Sequence, residues 1–144
     1  MKRILAIIAF VSIGIITVNA ANSDFLSSFR SCSRYSESGN VKTEGLDVVS
    51  QKQILGMQDN KCVYKETVKF AGIEASTVCK FTKPQIAEIV SVMEAYSLVQ
   101  KYSNEDVDTS SLSGVSNNPV VKVWNKYLND SSVCSFEGLG GLGK

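Results

Sequence analysis

Apolar and polar residues alternate along Val49–Phe81, VSQKQILGMQDNKCVYKETVKFAGIEASTVCKF, as in strands with one face buried and the other solvated. Two pairs tolerant of positive φ, Asp59-Asn60 and Ala71-Gly72, divide the stretch into three strands joined by two-residue hairpin loops. The first loop sets Met57 opposite Cys62, Leu55 opposite Tyr64, Gln53 opposite Glu66 and Gln51 opposite Val68. The second sets Val68 opposite Ala75, Glu66 opposite Thr77, Tyr64 opposite Cys79 and Cys62 opposite Phe81. Side chains alternate across a strand, so these residues share one largely apolar face, expected to point inward. The other face carries Ser50, Lys52, Lys65, Thr67, Lys69, Glu74, Ser76 and Lys80, with Ile54, Val63 and Val78 as apolar exceptions, and is expected to meet solvent.

Before this meander, Asn22-Ser23-Asp24 can cap a short helix that places Phe25, Leu26, Phe29 and Cys32 on one side. Tyr35–Val41 can begin a further strand, with a turn at Gly39-Asn40. After the meander, Thr82-Lys83-Pro84-Gln85 announces a helix: Thr82 as N-cap, Pro84 in the first turn and Gln85 at the capping-box position. Ile86, Ile89, Val90, Met93 and Tyr96 form its apolar stripe, expected to lie across the inner face, and the helix is expected to run to about Lys101. Residues 103–118 are polar and read as a long surface loop. In residues 119–130, Val120, Val123, Trp124 and Tyr127 recur at helical spacing, while Val121 and Val123 alternate as in a strand; both forms fit. Residues 137–144, rich in Gly, read as a disordered tail.

The first twenty residues stand apart. Met1-Lys2-Arg3 is basic, Ile4–Val18 is almost wholly apolar, and Val18-Asn19-Ala20 is a small-x-small cleavage site, so residues 1–20 read as a secretory signal peptide. The apolar run is shorter than the ~20 residues a spanning helix needs, and no membrane span is expected after cleavage. The remainder, residues 21–136 and the tail, suits a single domain. Loss of Lys2 and Arg3 leaves 13 basic against 14 acidic residues, a balance that argues against nucleic acid as a partner.

All four cysteines, Cys32, Cys62, Cys79 and Cys134, lie beyond the leader and contain no C-x-x-C, which favours structural disulfides over redox or zinc chemistry. Cys62 and Cys79 point inward at the same end of the meander as diagonal neighbours. Each is expected to bond to a cysteine outside it, Cys32 or Cys134, and both such connectivities fit. The spacing of Ile54-Leu55-Gly56, Cys62-Val63-Tyr64 and Cys79-Lys80-Phe81 resembles that of small exported bacterial proteins with no assigned function. That resemblance implies a periplasmic or secreted location and carries no activity.

The chain contains no His, which excludes Ser-His-Asp and Cys-His catalysis and the imidazole-based zinc and haem sites. There is no P-loop and no dinucleotide fingerprint, and no cofactor is expected. The one polar constellation on the inward face is Gln53, Glu66 and Thr77 in a row, with Gln51 beside it. A carboxylate there would be desolvated and its pKa raised. Such a row can be a ligand-binding spot or, with Glu66 as general acid/base, a catalytic one; the plainer reading is a satisfied buried network. The acidic run Asn104–Thr109 could offer oxygen ligands to Ca²⁺ but lacks EF-hand spacing and reads as solvated linker. Trp124 and Tyr127 read as core rather than as an aromatic contact surface. The expectation is therefore an α+β domain, an antiparallel meander of three to four strands with helices packed on one face, stapled by disulfides. Its expected role is a non-enzymatic exported module that binds a protein or small ligand; the alternative is a small hydrolase-like enzyme using Glu66.

Overall fold

In a computed structural model, the structure describes residues 23–43, 45–103 and 117–137. The leader, the acidic run 104–109, most of the 103–118 loop and residues 138–144 lie outside them. The elements are α1 (Ser23–Ser31), β1 (Tyr35–Thr43), β2 (Leu46–Gln58), β3 (Lys61–Phe70), β4 (Ile73–Phe81), α2 (Lys83–Ser103), α3 (Pro119–Leu128) and β5 (Cys134–Glu137). The five strands form one antiparallel sheet in the order β1-β2-β3-β4-β5.

Both hairpin loops form where expected. Asp59 and Asn60 have φ of 49° and 65°, and Ala71 and Gly72 have φ of 48° and 76°, the left-handed pair that matches the twist of the flanking strands. The β3–β4 register is the expected one, from Cys62 opposite Phe81 to Phe70 opposite Ile73. The β2–β3 register is not. It begins as expected, with Met57 opposite Cys62, but Leu55 is an extra residue: Gly56 pairs with Val63 and Ile54 with Tyr64. Gly56 supplies the positive φ of 97° that this bulge uses. One extra residue inverts every later side chain of a period-2 strand. Lys52, Ser50 and Ile54, expected outside, are inside and at most 2 % exposed, whereas Gln51 and Gln53 are outside.

Strand β1 runs straight through Gly39 and Asn40, which pair with Ser50 and Val49, so the turn expected there does not occur. At the other edge, Glu137 belongs to β5 rather than to the tail. A tight turn prepares that strand: Asp130 Oδ1 accepts from the Ser132 amide at 2.9 Å, and its carbonyl accepts from the Cys134 amide at 2.9 Å.

The helices cover the inner face. Phe25 and Phe29 of α1, Ile86, Ile89, Val90 and Met93 of α2, and Val120, Val121, Val123, Trp124 and Tyr127 of α3 join Ile54, Tyr64 and Phe81 in one core. The α2 start carries half of the expected capping box, the Thr82 amide donating to Gln85 Oε1 at 2.9 Å. Residues 119–128 resolve as helix. Pro119 opens α3, and the Asn118 side chain accepts from the Val120 amide at 2.8 Å. At its centre Phe29 stacks on Trp124 at 5.9 Å and meets Phe81 edge-on at 5.6 Å. The disulfides are Cys32–Cys62, tying α1 to β3, and Cys79–Cys134, joining opposed residues of β4 and β5. Each meander cysteine thus bonds outward.

Candidate functional site

Because of the bulge, the inward polar row differs from the expected one. Glu66 and Thr77 are opposed and buried as anticipated, but the β2 residue facing Glu66 is Lys52, and β1 adds Glu37 opposite Lys52. The row reads Glu37, Lys52, Glu66, Thr77 across four strands. Gln53 faces Lys65 and Gln51 faces Thr67 on the opposite side of the sheet, so neither joins Glu66. Isolated Gly56 inside a strand pattern, together with the misplaced Ile54, was the sequence signal for this shift.

The lysine is 2 % exposed, and its ammonium lies 3.6 Å from Glu37 Oε1 and 5.8 Å above the Phe25 ring. Burial pushes its pKa below the ordinary lysine value, against the opposing pull of Glu66 and Glu37. The Tyr64 hydroxyl donates to Glu66 Oε2 at 2.9 Å, and the Tyr35 hydroxyl to Glu37 Oε2 at 2.9 Å. Burial, and then the Glu66 charge, raise the Tyr64 pKa well above that of a free phenol. A single cation between two carboxylates, with phenol donors at both ends, is an internal ion and hydrogen-bond network. Glu66 is only 6 % exposed.

Open space lies elsewhere, around the tip of the β2–β3 hairpin. A cleft of about 500 Å³ is bounded by Arg30 and Ser31 at the end of α1, Met57 and Asn60 of the hairpin, and Lys83 to Ser91 of α2. Its floor is apolar, with Ile86 and Val90 reaching it from α2 and the Cys32 disulfide closing one side. Lys83 and Arg30 supply positive charge at its rim, and Arg30 also donates to Glu94. An adjoining cleft of about 330 Å³, between Asp59–Lys61 and Thr82–Pro84, shares Asn60 and Lys83 with the first. None of Gln51, Gln53, Glu66 and Thr77 lines either cleft. Trp124 and Tyr127 are buried in the core, so the aromatic contact surface does not form.

Among the described residues no group of three or more His, Cys, Asp and Glu is placed to hold a metal ion, and no helix is long and apolar enough to cross a membrane. Comparison with protein-family models, with curated proteins and with solved structures found no match for this chain.

Proposed function

We propose that this protein is an exported, non-enzymatic binding module, and that the cleft beside the β2–β3 hairpin receives its ligand. The observation that carries this reading is the lining of that cleft: Lys83 and Arg30 at the rim over an apolar floor of Met57, Ile86 and Val90. Its volume of about 500 Å³ falls in the range of small-ligand sites, which are mostly apolar with a few polar groups that orient the guest. The positive end of the α2 dipole adds to Lys83, so an amphipathic anion, an apolar chain ending in carboxylate or phosphate, suits it. Export is supported by the basic-apolar-small pattern of residues 1–20, and the two disulfides are compatible with it. The hydrolase alternative has less behind it: Glu66 is buried, a lysine occupies the space between it and Glu37, and no described cleft reaches it.

The test is a titration of the protein with dodecyl phosphate below its micelle-forming concentration, followed by amide NMR. Saturable shifts at Asn60, Ala87 and Ser91 are expected, abolished by Lys83→Glu and weakened by Met57→Ser. Shifts that never saturate, or that survive both substitutions, would rule the cleft out as the binding site.

A further inference from the structure

The sheet face turned away from the described helices carries a second feature, distinct from the cleft floor. Val63 points away from the helices yet is only 3 % exposed. Its neighbours on that face are Lys61 and Lys65 along β3, Lys80 across on β4 and Gly56 across on β2. Gly56 has no side chain, and the Arg34 stem lies over it: a Cβ built there would be 4.0 Å from Arg34 Cγ. Four cationic residues are therefore placed around Val63, and long basic side chains can lay their stems on apolar surface while their heads stay in water. Arg34, Lys61 and Lys80 are exposed and Lys65 half-buried. None of the four is in an ion pair or side-chain hydrogen bond with a described residue.

Carboxylates are scarce around them. The next row on this face is Ser36, Gln53, Val78 and Ser135, and the first acid beyond it is Glu137. Glu74 lies at the far end, paired with Lys69 at 3.1 Å. Asp59 stands near, at the hairpin tip, and the Asp130 turn leads into Val133, whose carbonyl accepts from the Lys80 amide. From strand geometry the cations occupy a patch about 13 Å by 10 Å. One apolar side chain, Leu55 at the bulge of the same hairpin, stands exposed at 36 %.

We infer that this end of the sheet docks on an anionic lipid bilayer. Cations flanking an exposed apolar side chain suit a surface that is negatively charged at the headgroups and apolar just beneath. A soluble polyanion would satisfy the cations but leave Leu55 in water, so the bilayer fits both the charged and the apolar part of the surface. The patch goes beyond the cleft reading and does not depend on it, because Arg34, Lys65 and Lys80 line neither cleft.

The experiment is co-sedimentation of the oxidised protein with phosphatidylcholine vesicles, with and without phosphatidylglycerol, at low and high salt. Binding is expected only to the phosphatidylglycerol vesicles and should weaken as salt screens the charges. Each basic residue near an anionic surface is worth about fivefold in partitioning, so Arg34→Gln/Lys65→Gln/Lys80→Gln should lower it about 100-fold. The same triple variant should keep its dodecyl phosphate shifts, which separates failure here from failure of the cleft. Leu55→Ser should weaken vesicle binding further. Equal binding to both vesicle types, or none, overturns the inference. So does heparin binding that equals vesicle binding and ignores Leu55→Ser, which would assign the patch to a soluble polyanion.

Discussion

Replacing Lys52 by Met should be among the most damaging single changes in the described part of this protein. Methionine keeps much of the aliphatic stem but deletes the cation that sits between Glu37 and Glu66. At 3.6 Å, the Lys52–Glu37 attraction alone amounts to about 4.6 kcal/mol at an effective dielectric constant of 20. Desolvation of the 2 %-exposed ammonium more than offsets it, which is why the Lys52 pKa is lowered despite both carboxylates. Removing one partner leaves the penalty of the other uncompensated, so Lys52→Met should cost about 3–5 kcal/mol, a large share of the ~5–15 kcal/mol that holds a domain of this size. Glu66→Gln in the same background removes the stranded charge and should return roughly 2 kcal/mol, a coupling typical of residues in one network. Equilibrium urea unfolding with the disulfides intact measures this directly. The fluorescence of Trp124, the only tryptophan and 2 % exposed, reports on the core, and far-UV circular dichroism reports on the sheet. The midpoint should fall while the slope stays constant. If Lys52→Met lies within about 1 kcal/mol of the parent and the two substitutions add within ~0.5 kcal/mol, the row is not an ion network.

The same row governs the alkaline limb of stability. The folded pKa of Tyr64 is raised, so its contribution is complete below about pH 10 and is lost as pH climbs toward the folded value. Lys52 has a depressed folded pKa and acts oppositely: its contribution grows as pH rises to about 10.5 and is lost as pH falls through the folded value. Above about pH 10.5 only the loss persists, at up to ~1.4 kcal/mol per pH unit, and pH-dependent urea midpoints of Tyr64→Phe should show a shallower decline. At neutral pH that variant should be about 1–3 kcal/mol less stable through its lost hydrogen bond to Glu66. Deleting Leu55 removes the extra residue while Gly56 stays opposite Val63 and Ile54 opposite Tyr64, so Ile54 and Lys52 should remain inside and the native near-UV dichroism should be retained. Loss of the native spectrum would show that the bulge itself is needed to seat β2. Replacing Cys79 and Cys134 together by Ser opens a 55-residue separation and should cost about 4 kcal/mol by loop-closure entropy, somewhat more than Cys32 and Cys62 at 30 residues, a ranking that thermal midpoints can check.

Much of this architecture is determined locally and is therefore legible in the chain. Asp59-Asn60 and Ala71-Gly72 select their turns by backbone preference alone, and each turn sets the pairing of the residues beside it. The β3–β4 register, the inward positions of Glu66 and Thr77, the Thr82–Gln85 cap and the apolar stripe of α2 all follow from neighbours within a few residues. The outward direction of both disulfides followed in turn from that register. What lay beyond reach depended on competition across the fold. Whether β2 stays regular or bulges at Leu55 is decided by the helix-covered core, which takes Ile54 and the Lys52 stem and excludes Gln51 and Gln53. The four residues of β5 are too short to announce themselves and become a strand only because the edge of β4 and the Cys79–Cys134 bond hold them. Residues 119–128 fitted helix and strand alike until the aromatic core claimed Trp124 and Tyr127 on one helical face. Glu66 could be placed from sequence; its partner Lys52 could not, because a one-residue bulge leaves composition and turns unchanged while reversing which side chains share a face.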